Sequence, residues 1–438
     1  MAQTVLLSVA LLSVVLSFHG ALGITGCRVT RPGLEKYCHS TQHHWVQDLQ
    51  GPIQRLPPPL LPGLINCRLT ILNLESIRVV MRPPGRVEVI VCLVLEIKCY
   101  LLLVPVKVRV AYCLTITMIV APLGLRVASC SAAYVEIKVQ ALIDVKLELA
   151  EVAEILGPVL DPVVCPKAIE IATKLNLMRD LQLVPASFFT GCQYTCTRGH
   201  PPQLYANYVD LFFVPQVTCG GAVVPWPPYP SYYLPASLVP DEHTCYYISE
   251  DDLANILLAL LGRGLFNHEF THLTVTTTLI IARISGIVCP KDLPIMLRIS
   301  CAHIAISITT RGVIFDIRFA VDIGYFQSVY VSLLRVTVTM KIIVISTIDC
   351  QKGRLVFSVG AISEIRVTGT CSGSPCTVDG SLLEELFSLR AHCRDLFNEK
   401  MKIGFPWPFP TKCACSTCRD VIIVPKIVVW CCNLNYLE

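Results

Sequence analysis

Arg86-Val87-Glu88-Val89-Ile90-Val91-Cys92-Leu93-Val94-Leu95-Glu96-Ile97-Lys98 puts an apolar residue at every odd position and its charges, Arg86, Glu88, Glu96 and Lys98, at even ones. Period two with one polar face marks a strand buried on one side. The pattern recurs nearby: Val106, Val108 and Val110 alternate with Lys107 and Arg109, and Val135, Ile137 and Val139 alternate with Glu136 and Lys138. Arg82-Pro83-Pro84-Gly85-Arg86 supplies a turn between two such runs. Long strands joined by turns therefore make up most of the first half.

Helix is expected late in that half, from Pro166 at the first helical position to about Leu181. From Pro201 to Pro240 the charges nearly vanish and Pro, Tyr, Trp and Gly accumulate, as in Pro225-Trp226-Pro227-Pro228-Tyr229-Pro230. Such a stretch is expected to supply neither regular helix nor a central strand, and it marks a domain boundary. Beyond it, Ser249 can cap a helix with Glu250, Asp251 and Asp252 in its first turn. Leu253, Ile256, Leu257, Leu260 and Leu261 form one apolar face, and Gly262 and Gly264 end it. Strands are expected to resume from His272 to about Thr370, followed by a last helix from Ser381 to Asn398. Each half thus repeats one plan, giving residues 24–200 and 245–438 as domains joined by a Pro-rich linker over 201–244.

The chain has 438 residues, 53% hydrophobic and 16% charged, with a mean hydropathy of +0.59. This excludes a disordered protein. A formal charge of +4 excludes a general nucleic-acid binder. Residues 1–23, with an uncharged apolar stretch from Val5 to Phe18 and then Ala21-Leu22-Gly23, form an expected secretory signal peptide without the usual basic start. All 23 cysteines follow it, as expected of a disulfide-bonded extracellular chain. The apolar segment Val110 to Leu125 is too short, and too rich in β-branched residues, for a spanning helix, so no transmembrane segment is expected.

In order and spacing, several stretches resemble the family of bactericidal/permeability-increasing protein, lipopolysaccharide-binding protein and the secreted palate-lung-nasal proteins. They are Leu61-Pro62-Gly63 with Leu69 to Arg86; Cys130, the strand at Val135, and Val163-Val164-Cys165-Pro166; Ile248-Ser249-Glu250 to Gly264-Leu265-Phe266; and Gly404-Phe405-Pro406 with Val421 to Val429. The resemblance implies an α+β fold of two tandem domains, each a twisted antiparallel sheet wrapped around a long helix, joined as a boomerang with an apolar lipid site in each. It implies a Cys130–Cys165 disulfide, whose 35-residue loop is worth on the order of 3–4 kcal/mol. Ile169 and Ala172 in the first domain, and Leu253, Ile256, Leu257 and Leu260 in the second, become the expected lipid-binding residues. Cys67, Cys92, Cys99 and Cys113 depart from the family's few disulfides; they either bridge strands or pack as small apolar residues. Cys413, Cys415 and Cys418, and vicinal Cys431 and Cys432, belong to a tail that the resemblance does not place.

Arg78, Arg82 and Arg86 surround the turn and are candidates for anionic head groups, including bacterial lipopolysaccharide or an anionic membrane surface. Residues 24–200 carry 18 Lys and Arg against 13 Asp and Glu, and the remainder 18 against 19, an asymmetry in the same direction. A solvated turn is the plainer reading of the three arginines. His268-Glu269-Phe270-Thr271-His272 has the form H-E-x-x-H, which on a helix binds zinc. Here it follows a helix end and enters a strand pattern, where residues four apart sit too far apart to share one metal. The expected function is a secreted, non-enzymatic binder of lipid or another small hydrophobic molecule, without cofactor or metal, serving mucosal defence. The alternatives are a disulfide-rich structural or surface-active secretion, an odorant or pheromone carrier, and a zinc hydrolase at His268 and His272.

Overall fold

The structure is a computed structural model. It describes residues 25–436 except 60, 102, 122–123, 141–146, 175–185, 189–190, 199–200, 225–233, 239, 272–276, 285–292, 350–353, 373–376, 403 and 407–412. The expected signal peptide, the end of the helix expected to reach Leu181, and His272 lie outside the described residues.

The chain opens with β1 (Thr25–Thr30), α1 (Arg31–Ser40) and α2 (Gln42–Gln54). Four long strands follow, β2 (Ile65–Arg82), β3 (Arg86–Leu101), β4 (Val104–Ala121) and β5 (Gly124–Gln140), then α3 (Leu149–Lys174). The middle holds β6 (Ala186–Phe188), β7 (Cys192–Arg198), β8 (Gln203–Leu204), β9 (Tyr208–Cys219), β10 (Ala222–Val223), β11 (Thr244–Ser249) and α4 (Glu250–Leu261). After β12 (His268–Phe270) and α5 (Thr277–Arg283) come β13 (Ile295–Thr309), β14 (Gly312–Phe326), β15 (Tyr330–Asp349), β16 (Arg354–Cys371) and β17 (Thr377–Val378). The end comprises α6 (Gly380–Phe387), α7 (Leu389–Lys402), β18 (Phe405–Pro406), β19 (Cys413–Cys418), β20 (Ile422–Val424) and β21 (Ile427–Tyr436).

Strands β2 to β5 form one antiparallel meander, and β12 to β18 a second sheet around the meander β13 to β16. A third sheet runs β19-β21-β11-β1-β9-β7-β6 and joins the beginning, middle and end of the chain. The odd residues of β3 from Val87 to Ile97 are all buried, as their alternation requires, and β4 buries Val106, Val108, Val110, Tyr112, Leu114 and Ile116. Arg82 pairs with Arg86 across the Pro83-Pro84-Gly85 turn.

Four expectations are corrected. The first late helix starts at Leu149 and carries Pro158, Pro162 and Pro166 in its interior. The three prolines are exposed and four residues apart, while Val152, Leu156, Leu160, Val164 and Ala168 make the opposite, buried stripe. Missing hydrogen bonds on the solvent side favour a helix that curves around its sheet, so the prolines are tolerated in line. Second, the stretch read as a linker over 201–244 contributes β9, a central strand between β1 and β7. Its Pro215 pairs with Cys196 of β7 but lies beyond Phe213, where the pairing with β1 ends, so the missing N–H deprives no second neighbour. Third, Thr277 and Thr278 open a helix, not a strand; Ile280 and Ile284, spaced four apart, are both buried. Fourth, the helix expected over Ser381 to Asn398 is broken at Ser388, whose φ of 46° is left-handed. The break lets Leu383 and Phe387 before it, and Leu389, Cys393 and Leu396 after it, all face the core.

Candidate functional site

Helix α3 lies on the inner face of β4 and β5 and is joined to that sheet twice. Cys165 bonds to Cys130 of β5, the pairing the family resemblance implies, with Cα atoms 5.6 Å apart. One turn earlier, Asp161 accepts hydrogen bonds from Tyr112 Oη at 2.9 Å and Tyr134 Oη at 3.5 Å. Burial, reinforced by the Asp161 carboxylate, holds both phenols well above the usual tyrosine range, so they remain donors. Ile169 and Ala172 are half-buried on this helix.

Helix α4 starts where the sequence places it. Ser249 Oγ accepts from Asp252 N, and Asp252 Oδ2 in turn accepts from Ser249 Oγ and from Thr25 Oγ1 of β1. Glu250 accepts from Ile308 N of β13 and pairs with Lys426. Leu253, Ile256, Leu257 and Leu260 are all buried in the core. The structure thus brings the apolar residues chosen in each half onto a helix that covers a sheet.

The two ends of the β2–β5 sheet differ. At the β2–β3 turn, Arg78, Arg82 and Arg86 are exposed, but Arg82 and Arg86 both pair with the buried Glu88, at 2.9 Å each. One carboxylate thereby offsets much of the positive tip. At the opposite end, the β3–β4 turn exposes Leu103 at 92%, with Ile65 at 55% and Tyr100 at 46% beside it. Ile65 and Pro105 are the register partners of Tyr100. Two residues back along the strands, Arg68, Lys98 and Lys107 stand side by side, and all three are exposed. Lys98 pairs with Glu96 at 3.2 Å. The outcome is an apolar tip with a row of cations behind it. Periodicity did not single out this tip. The tip's sequence signal is the run Tyr100-Leu101-Leu102-Leu103-Val104-Pro105, which puts Leu103 in a turn where Asn or Gly is the usual choice.

His268 and Glu269 lie on strand β12, as their sequence context implies, and Glu269 pairs with Arg298 at 2.8 Å while the His268 ring packs on Phe270. The strand cysteines bridge: Cys67 to Cys99 and Cys92 to Cys113, with Cys192–Cys219 and Cys245–Cys431 built the same way across neighbouring strands. Cys371, Cys418 and Cys432 are also disulfide-bonded. Burial pushes the Cys38 and Cys393 thiols up to about 12 and Cys301 to about 11, so these three remain protonated and unreactive. Among the described residues, no helix is long and apolar enough to cross a membrane.

No protein-family model matches the chain, and no curated protein does. Solved structures do. The crystal structure of a lipopolysaccharide-binding protein aligns over 95% of this chain and 100% of its own, with a TM-score of 0.59 and 14% identity. The chain shares that fold. P47 from Clostridium botulinum A2 covers 94% of this chain and 97% of its own at 9% identity, but with a TM-score of 0.35. The first alignment extends through all three sheets; at 14% identity it carries architecture and assigns no residue a role.

Proposed function

We propose that this chain is an extracellular, non-enzymatic lipid-binding protein of two tandem domains, 24–200 and 245–438, exported by its first 23 residues. The observation that carries the reading is the β3–β4 tip. A leucine exposed at 92% at the end of a disulfide-stapled hairpin has no folding use, because its burial awaits an apolar phase. The cations of Arg68, Lys98 and Lys107, set back by two residues from Tyr100, fall about 7 Å behind that ring and farther behind Leu103, where anionic head groups lie when the tip enters acyl chains. Tyr100 beside them suits the interface. The shared fold with a lipopolysaccharide-binding protein and the disulfides support the same reading.

Acyl chains released to the protein would lie between α3 and the sheet β2–β5, near Ile169 and Ala172, and beneath α4 at Leu253, Ile256, Leu257 and Leu260. Bacterial lipopolysaccharide, an anionic saccharolipid, is the natural candidate, with innate defence as its use. The Arg78, Arg82 and Arg86 turn is the lesser contact, since Glu88 offsets it. The test is flotation of the secreted protein with phosphatidylcholine vesicles, with and without phosphatidylglycerol, followed by native mass spectrometry of the recovered chain. Binding that increases with phosphatidylglycerol, with a lipid mass retained, is the expected result. Absence of flotation on either vesicle and bare protein in the spectrum would overturn it in favour of a structural secretion.

A further inference from the structure

The outer face of the second long sheet carries a groove of about 680 Å³, within the roughly 300–1,000 Å³ of small-molecule sites. Two rows of side chains floor it. Glu269, Arg298, Asp322, Arg335 and Thr370 are successive register partners across β12 to β16, and Ser300, Ala320, Thr337 and Thr368 form the next row. Between the rows, Ile299, Val321 and Val336 turn into the core, so the floor is fixed from below.

Most of the charges in the first row are already committed. Arg298 lies 2.8 Å from Glu269 and stacks with its guanidinium carbon 3.8 Å from the centre of the Tyr330 ring. Its buried Nε lacks the alignment for a hydrogen bond to Glu269. Tyr330 Oη donates to Asp322 O, and Ser332 Oγ donates to the Asp322 carboxylate while lying 2.8 Å from Ser372 Oγ. Asp322 is thus held by hydroxyls. Arg335, in register with it, is exposed and has no ion pair or hydrogen bond among the described residues.

An uncommitted guanidinium beside a rigid row of Thr and Ser hydroxyls matches one ligand chemistry. Arginine offers a planar fork of donors to a carboxylate or phosphate. Hydroxyls on β-branched strand residues have little rotamer freedom to lose and can both donate and accept. We infer that the groove on β12–β16 binds a sugar or other polyol bearing one anionic substituent, with Arg335 taking the anion and Thr337, Thr368, Thr370 and Ser300 taking the hydroxyls. This site is on the opposite face of its sheet from the core and is independent of the hairpin tip.

Calorimetry on the full secreted chain tests it with myo-inositol 1-phosphate, glucuronate and neutral myo-inositol. The two acids should bind about tenfold or more tighter than myo-inositol, the scale of a charge-assisted hydrogen bond. Arg335→Gln should reduce both acids to the level of myo-inositol, whereas Arg311→Gln, on the β13–β14 turn outside the groove, should change nothing. Because Arg335 is exposed, its variant should keep the wild-type melting temperature; Thr337→Val provides a second weakening that leaves the charge in place. Acids that bind no better than myo-inositol, or an Arg335→Gln variant that binds like wild type, would overturn the inference. Phosphatidylinositol vesicles separate two sources: loss of their binding in Arg335→Gln identifies a lipid head group, and loss confined to the free phosphate identifies a soluble sugar. Leu103→Asp should leave all the calorimetric values unchanged, so failure here and failure of the lipid reading are distinguishable.

Discussion

Leu103→Ala isolates the contribution of the apolar tip. Leu103 is exposed at 92%, so nearly its whole side chain is available to a membrane and almost none of it serves the fold. Truncation to Ala removes three carbons, each worth about 0.8 kcal/mol when buried, or roughly 2 kcal/mol on insertion. At 1.4 kcal/mol per decade, vesicle affinity should fall about 30-fold. Leu103→Asp should abolish insertion. Lys107→Gln should cost about 1 kcal/mol on phosphatidylglycerol vesicles and nothing on phosphatidylcholine alone, because it removes attraction to the surface without touching the apolar term. Thermal unfolding should be unaffected in all three, as expected of exposed positions within about 0.5 kcal/mol. Flotation at graded lipid concentration gives the partition coefficients. A Leu103→Ala protein that binds within about twofold of wild type would refute the tip as the membrane contact. If Arg82→Gln with Arg86→Gln abolished binding instead, the contact would lie at the opposite end of the sheet.

Other consequences follow from buried contacts. Arg28 is 1% exposed on β1, forms two 2.7 Å hydrogen bonds to Asp210, and donates to the carbonyls of Leu234, Pro235 and Leu238. Arg28→Met strands the carboxylate and should cost about 3–5 kcal/mol in urea unfolding at neutral pH. Burial already raises Asp210 above the ordinary aspartate range, against the pull of Arg28. Without Arg28, its folded value lies higher than its unfolded one, so that variant should lose stability as pH rises between the two and regain it in acid. Asp210→Asn leaves the arginine charged throughout and removes the titrating group, so that variant's own stability should not vary over the same range through this site. Cys165→Ser opens a loop of 35 residues and should cost about 3–4 kcal/mol. Amide exchange should accelerate in α3 ahead of β4; uniform exchange in both would refute a helix held chiefly by this bridge.

Where one physical rule governs a segment, the sequence is readable. The period-two runs of β3 and β4, the turn at Pro83-Pro84-Gly85 and the Ser249 cap emerge with the expected faces and ends. The misreadings occur where local preference and tertiary context conflict. Three prolines argue against a helix over 149–174, yet on the solvent side of a curved helix they lack only bonds that curvature already weakens. Pro215 argues against a central strand, yet it stands just past the end of its neighbour. In both cases the decisive fact is which side of the residue faces an empty position, and periodicity carries no record of that.

The candidate sites divide along the same line. Leu253, Ile256, Leu257 and Leu260 were legible because a helix of known start fixes which residues share a face. The arginines at the β2–β3 turn were legible as charges, but their pairing with Glu88 depends on register, which sets Val80 opposite Glu88 and brings the carboxylate beside Arg82 and Arg86. Arg335 sits thirteen or more residues from every other charge of its row, and only strand pairing assembles Glu269, Arg298 and Asp322 next to it. Leu103 was hidden for the opposite reason. In a chain this apolar, one more run of leucines resembles core, and what distinguishes it is that the turn leaves no opposing surface to bury it. Exposure of an apolar residue against the trend of its own sequence is therefore the more informative signal here, and the proposed membrane contact rests on it.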